Sequence, residues 1–151
     1  MSRLTWIVAA FAAWSITTAS LLAAELGTAA EARAMLERAV AAVKADRAAA
    51  IARFNKRDGG FHDRDLYVFC FEGADGRVVS HVDPGQLGKD VRALRDRAGT
   101  AFGEMFFRDP KEGAFATVRY MWPRPGQSKP VEKESFVTRI GGLVCGVGYY
   151  K

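Results

Sequence analysis

The sequence is poor in the residues that carry most enzymatic and metal chemistry: its 151 residues include only two histidines and two cysteines. No Ser-His-Asp order, nucleophile elbow, HxxxH pattern or phosphate-binding glycine loop occurs, so hydrolytic, metal-dependent and nucleotide-dependent catalysis have no constellation to rest on. Gly146-x-Gly148 lies inside a terminal strand signal rather than between a strand and a helix, which excludes it as a dinucleotide fingerprint. Cys70 and Cys145 stand far apart with no CxxC beside them, and no CxxCH supports haem attachment. The expectation is a protein without cofactor, metal or enzymatic activity. Internal repeats, low-complexity tracts and basic stripes interleaved with aromatics are missing too. The net charge of +5 comes from 22 basic and 17 acidic residues mixed along the chain, as in Arg92, Arg95, Asp96 and Arg97, so nucleic acid is not an expected partner. A basic balance of this size suits a pocket for an anionic metabolite, or weak attraction to a membrane surface.

Residues 1–24 hold a single charge, Arg3, ahead of an uncharged run that includes Ile7, Val8, Phe11, Ile16, Leu21 and Leu22. That is the layout of a secretory signal peptide. Cleavage after Ala24 preserves Thr28-Ala29-Ala30-Glu31 as a capping box for the following helix. An uncleaved anchor is the alternative, because a run of about 20 residues can span a bilayer. Either way residues 25–151 form one domain in an extracytoplasmic space, periplasmic in a bacterium with two membranes. In an oxidising compartment Cys70 and Cys145 can pair; the other reading is two buried thiols acting as small hydrophobes.

From Thr28 to about Asn55 the apolar residues Leu36, Val40, Val43, Ala50, Ile51 and Phe54 recur at helical spacing in an alanine-rich background, which predicts one long amphipathic helix. The Asn55 to Gly60 segment supplies basic residues and then glycines suited to a left-handed stop. Leu66 to Glu72 and Val78 to Val82 read as a hairpin around Asp75-Gly76. An irregular stretch from Asp83 to Pro110 follows, with a short apolar helix around Phe102, Met105, Phe106 and Phe107. Three strand signals close the chain: Ala114 to Trp122, Val131 to Ile140 and Leu143 to Tyr150, the last two joined by Gly141-Gly142.

The helix, two strands, helical insert and three-stranded meander make an α+β pattern of PAS-like type. Phe61-x-x-x-x-Leu66-Tyr67-Val68-Phe69, Asp75-Gly76-x-x-x-x-His81-x-Asp83-Pro84 and Gly88-Lys89-Asp90 resemble the front half of a single Cache domain of the second type. Tyr120-Met121-Trp122-Pro123-Arg124-Pro125-Gly126, Lys133-x-x-Phe136-Val137 and Gly146-Val147-Gly148-Tyr149-Tyr150 resemble its back half. The resemblance implies a five-stranded antiparallel-type sheet with a long N-terminal helix and a helical insert after the second strand. It also implies an extracytoplasmic sensor of small organic molecules, of the kind that forms the input half of chemoreceptors and histidine kinases. No output half follows Lys151, so the signal is expected to pass to a membrane-bound kinase or chemoreceptor. The alternative is an interaction protein that keeps the Cache scaffold without a ligand and docks such a partner, its long helix serving a homodimer. In PAS-like sheets the first and last strands are neighbours, which brings the strands of Cys70 and Cys145 together.

The expected ligand is a small organic anion, and five residues are candidates to hold it. Tyr120 and Trp122 share the apolar face of their strand, either lining a pocket or packing the core. Lys133 is the candidate partner of a ligand carboxylate, against the plainer reading of a solvated lysine. His81 either donates to a bound anion and responds to pH, or bonds the loop around Asp83. Tyr67 alternates with Phe69 and Phe71, so a hydrophobic role competes with ligand contact. His62 is expected to be exposed, and Arg119 to be solvated or paired with Glu132 or Glu134. The family's tyrosine in the Lys-x-x-Tyr segment is Phe136 here; if its hydroxyl helps hold the ligand, its loss changes ligand class or weakens binding.

Overall fold

The computed structural model describes residues 26–151, so the expected leader at residues 1–24 and the expected cleavage after Ala24 lie outside the described residues. Thr28 Oγ1 accepts from the Glu31 N–H and the Glu31 carboxylate accepts from the Thr28 N–H, at 3.2 and 2.8 Å, closing the expected capping box. It opens helix α1 (Ala29–Ala45), which buries Ala32, Met35, Leu36, Ala39 and Val43 at spacings of three and four.

The single helix expected as far as Asn55 is in fact two. Asp46 is extended, with φ −158° and ψ 104°; its N–H still bonds Ala42, while its carboxylate accepts from the Ala49 N–H at 3.0 Å. The short acidic side chain competes for backbone donors and restarts the helix as α2 (Arg47–Lys56). Asp46→Ala is therefore expected to cost roughly 1 kcal/mol, read as a lower urea midpoint with an unchanged m value. The helix stop differs as well: Arg57, not a glycine, takes the left-handed conformation (φ 59°), and its guanidinium donates to the Val82 carbonyl at 2.7 Å.

Six strands follow rather than five. A two-residue β1 (His62–Asp63) precedes β2 (Leu66–Glu72), β3 (Val78–Ser80), β4 (Ala116–Pro123), β5 (Pro130–Ile140) and β6 (Leu143–Tyr150). All pairings are antiparallel, in the order β1-β2-β6-β5-β4 with β3 also on β2. His62, expected to be exposed, is half-buried in β1. Gly141 and Gly142 both have positive φ, which lets two residues turn β5 into β6.

The sheet separates two apolar layers. Leu66, Val68, Cys70, Ile140, Leu143, Cys145 and Val147 face α1 and α2; Tyr67, Phe69, Phe71, Val118, Tyr120, Val137 and Val144 face the insert. Cys70 sits directly opposite Cys145 in the β2–β6 ladder, and the two are joined by a disulfide. Residues between β3 and β4 form turns at Pro84–Gln86 and Val91–Ala93 and then helix α3 (Phe102–Arg108). The first turn is capped by Asp83 and the second by Asp90. Arg139 donates to the carbonyls of Phe107 and Pro110, fixing the end of α3 over the sheet.

Candidate functional site

Alternation along the central strands sends one set of side chains under the insert. On β5 that set includes Lys133, Ser135 and Val137, opposite Tyr150, Gly148 and Gly146 of β6. Lys133 is fully buried, at 0% exposure. Its ammonium donates to the hydroxyls of Tyr67 (2.9 Å) and Tyr150 (3.3 Å) and lies 4.2 and 4.6 Å from the centres of their rings. Burial pushes its pKa down to about 7, with the charge of Asp65 acting in the opposite direction. Glycine at 148 is what makes room: a Cβ there would lie 2.4 Å from Lys133 Cε and 2.3 Å from Ser135 Oγ. At Gly146 a Cβ would meet the Phe69 ring at 2.4 Å.

Two cavities lie between sheet and insert. The inner one, about 30 Å³, is walled by Phe69, Phe71, Phe102, Phe106 and Tyr120 among others, and has space for little more than a water molecule. Tyr120 stacks on Phe102 with centroids 4.4 Å apart, and its hydroxyl shares a 2.9 Å hydrogen bond with Ser135. The outer cavity, about 400 Å³, is bounded by the segment around Arg95 to Arg97 and by the β4–β5 turn from Pro123 to Pro130. Tyr67, His81, Gln86 and Trp122 line both, forming the boundary between them.

Each residue singled out from the sequence can now be placed. Tyr67, His81 and Trp122 meet at that boundary, and Tyr120 belongs to the inner apolar wall. Lys133 stands behind Tyr67 and on neither wall. Tyr67 is more than hydrophobic filling: its oxygen accepts from Lys133, and burial holds its pKa well above the ordinary range, so its proton stays available to donate. The ring of His81 packs edge-on to Tyr67, with centroids 5.2 Å apart, and its Nδ1 accepts from the Asp83 N–H at 2.9 Å. Burial, aided by the charge of Lys133, pushes its pKa down to about 4. His81 is therefore neutral near pH 7, with its proton on Nε2, and does not serve as a switch in that range. Phe136 corrects an expectation, because it faces the helices and stacks on Tyr149. A hydroxyl there could not reach either cavity. Arg119 pairs with Glu134 at 2.5 Å.

The sequence reading missed Tyr150, Ser135 and the arginines of the outer cavity. Tyr150 and Ser135 were reachable by pairing β5 with β6 from Gly141-Gly142 and reading across. The arginines sit on irregular segments with no periodic signal. Among the described residues no cluster of His, Cys, Asp or Glu could hold a metal ion.

No protein-family profile matches the chain. It is 32% identical over 92 residues to the methyl-accepting chemotaxis protein McpP of Pseudomonas putida; the match covers 59% of this chain and 17% of that receptor. Among solved structures, a periplasmic sensor domain of a chemotaxis protein is 29% identical with a TM-score of 0.60, over 79% of this chain and 87% of that one. A methyl-accepting chemotaxis protein from Vibrio parahaemolyticus shares the fold at 21% identity and a TM-score of 0.65, over 87% and 92%. A Cache chemosensory domain described for carboxylic acid recognition does so at 24% and 0.57, over 79% and 85%. These neighbours are sensor domains and not enzymes. With its helix pair, antiparallel sheet and covered pocket face, the described part of the chain has the fold of the Cache-type sensor domains.

Proposed function

We propose that this domain binds a small organic anion outside the cytoplasm and that its occupancy is read by a membrane-bound kinase or chemoreceptor. The observation that carries the reading is Lys133, a buried lysine with no carboxylate in contact among the described residues, whose hydrogen bond to Tyr67 occupies that oxygen as an acceptor and leaves the hydroxyl proton to donate. A ligand carboxylate at the boundary between the cavities would receive Tyr67 O–H and His81 Nε2–H, with Trp122 beside it as an apolar wall. It would also supply the negative charge that Lys133 lacks. Lys133 thus acts through Tyr67, as a positioning residue. Export through the leader at residues 1–24, with residues 25–151 as the mature domain, is part of the same proposal. The Cys70–Cys145 disulfide supports an oxidising location.

Isothermal titration of the purified chain in 0.15 M salt with acetate, propionate, pyruvate, lactate and succinate should show saturable binding of at least one acid. Tyr67→Phe should weaken it by roughly tenfold, the scale of a hydrogen bond to a charged group. Absence of binding across the whole series would overturn the proposal and favour a ligand-free docking scaffold.

A further inference from the structure

The outer cavity presents more guanidinium groups than one carboxylate needs. Arg95, Arg97 and Arg124 line it, and none of the three forms an ion pair among the described residues. The Nε of Arg124 is buried without a hydrogen-bond partner. Two acids line the same cavity, but both are already engaged. The Asp83 carboxylate accepts from the Gly85 N–H (2.9 Å) and the Gln86 side chain (3.1 Å), and Asp96 accepts from the N–H groups of Thr100 (2.9 Å) and Met121 (3.3 Å). Those bonds tie the Asp83 carboxylate to its own turn and the Asp96 carboxylate to its loop and to β4, and neither carboxylate is in ion-pair contact with the three guanidinium groups. Among the other arginines, Arg47, Arg64, Arg92 and Arg119 hold carboxylates within 2.9 Å, and Arg38, Arg57 and Arg139 donate to backbone carbonyls.

Arg124 is also placed by contact. Its guanidinium lies 5.2 Å from the centre of the Tyr150 ring, the ring that Lys133 approaches at 4.6 Å. The inner donors at Tyr67 and His81 and the outer guanidinium groups therefore bound one cavity of about 400 Å³. That volume falls in the range of pockets that enclose whole ligands, roughly 300–1,000 Å³.

We infer that the ligand carries a second anionic group, a carboxylate or a phosphate, held by Arg95, Arg97 and Arg124 while its first carboxylate meets Tyr67 and His81. The inference rests on the binding reading above and narrows it to dianions. Guanidinium forks match either oxyanion through paired hydrogen bonds, so both chemistries remain as arms of the test.

The test compares molecules that differ by one anionic group: butyrate with succinate and pentanoate with glutarate at matched chain length, and glycolate with its phosphate ester phosphoglycolate. Each is titrated into the purified chain in 0.15 M salt, where attraction to distant surface charge is screened. At least one dianion should bind tenfold or more tightly than its partner, and the pair showing the gap tells carboxylate from phosphate. The Arg95→Gln/Arg124→Gln double variant should close that gap to threefold or less. Monoanions binding as well as every dianion, or a gap that survives in the double variant, would overturn the inference and leave the binding proposal standing. No binding by any member would remove both.

Discussion

Replacing Lys133 with methionine is expected to make the unliganded domain more stable while weakening its binding of organic acids. Lys133 is fully buried, and its pKa near 7 lies well below that of a lysine in water because burial disfavours the charge. At pH 6 the ammonium is charged in both folded and unfolded chains, and folding bears the full cost of burying it. Between about 7 and the unfolded value near 10.4 the unfolded chain binds a proton that the folded chain does not. Stability from this group consequently rises with pH across that window. Methionine fills a similar volume, needs no counter-charge and leaves Tyr67 and Tyr150 able to donate. A gain on the order of 2 kcal/mol at pH 6.5 is expected, or roughly 5–10 °C in the melting midpoint, with a flatter pH slope than the parent. Calorimetry at pH 6.5 and 9 checks the stability, and titration with the acids above checks the binding. A variant that is less stable at pH 6.5, or that binds as before, would contradict the role given to this lysine.

The second large effect concerns Cys70 and Cys145. Their bond ties two central strands across a sequence separation of 75 residues, removing freedom from the unfolded chain worth about 4.5 kcal/mol in the chain-entropy account. Domains of this kind have total stabilities of only about 5–15 kcal/mol. The Cys70→Ala/Cys145→Ala variant should therefore lose a large share of its stability, with a fall of about 10 °C or more in its melting midpoint. Both side chains pack in the helix-side layer, and although Cys70 borders the small inner cavity neither lines the outer one, so affinity measured well below that midpoint should be retained. Equal urea midpoints for the oxidised parent and the variant would refute the expectation.

Much of this architecture can be read in the residues because local chemistry and tertiary context agree. Thr28 and Glu31 form their box with no help from elsewhere, and Gly141-Gly142 turns β5 into β6 as the pair alone suggests. The alternation of Ala116, Val118, Tyr120 and Trp122 puts these side chains on the face it predicts. The break at Asp46 is harder to see. Val43, Ala50 and Phe54 stay in helical phase across it and alanines favour helix throughout, so a single capping side chain outweighs the periodic pattern. Phe136 shows how a motif can mislead: it lies three residues from Lys133, and an odd separation on a strand means opposite faces. Strand parity, applied to the motif, removes the concern over the missing hydroxyl. The arginines were beyond reach for another reason. Arg119 and Arg124 look alike in sequence, and only three-dimensional neighbours decide that the first is neutralised by Glu134 while the second is left free.

Gly146 and Gly148 bear on how a binding domain of the kind proposed can change its ligand. With Phe69, Ser135 and Lys133 occupying the space where any Cβ would go, single substitutions at these two positions are sterically closed, and the floor of the pocket is shielded from gradual change. Arg95 and Arg97 stand on an irregular segment and Arg124 at the mouth of a turn, where replacement disturbs no strand pairing. Mutational variation can therefore explore the rim one residue at a time while the lysine and tyrosine beneath it stay fixed. Paralogues that share this floor would diverge in diet through their loops.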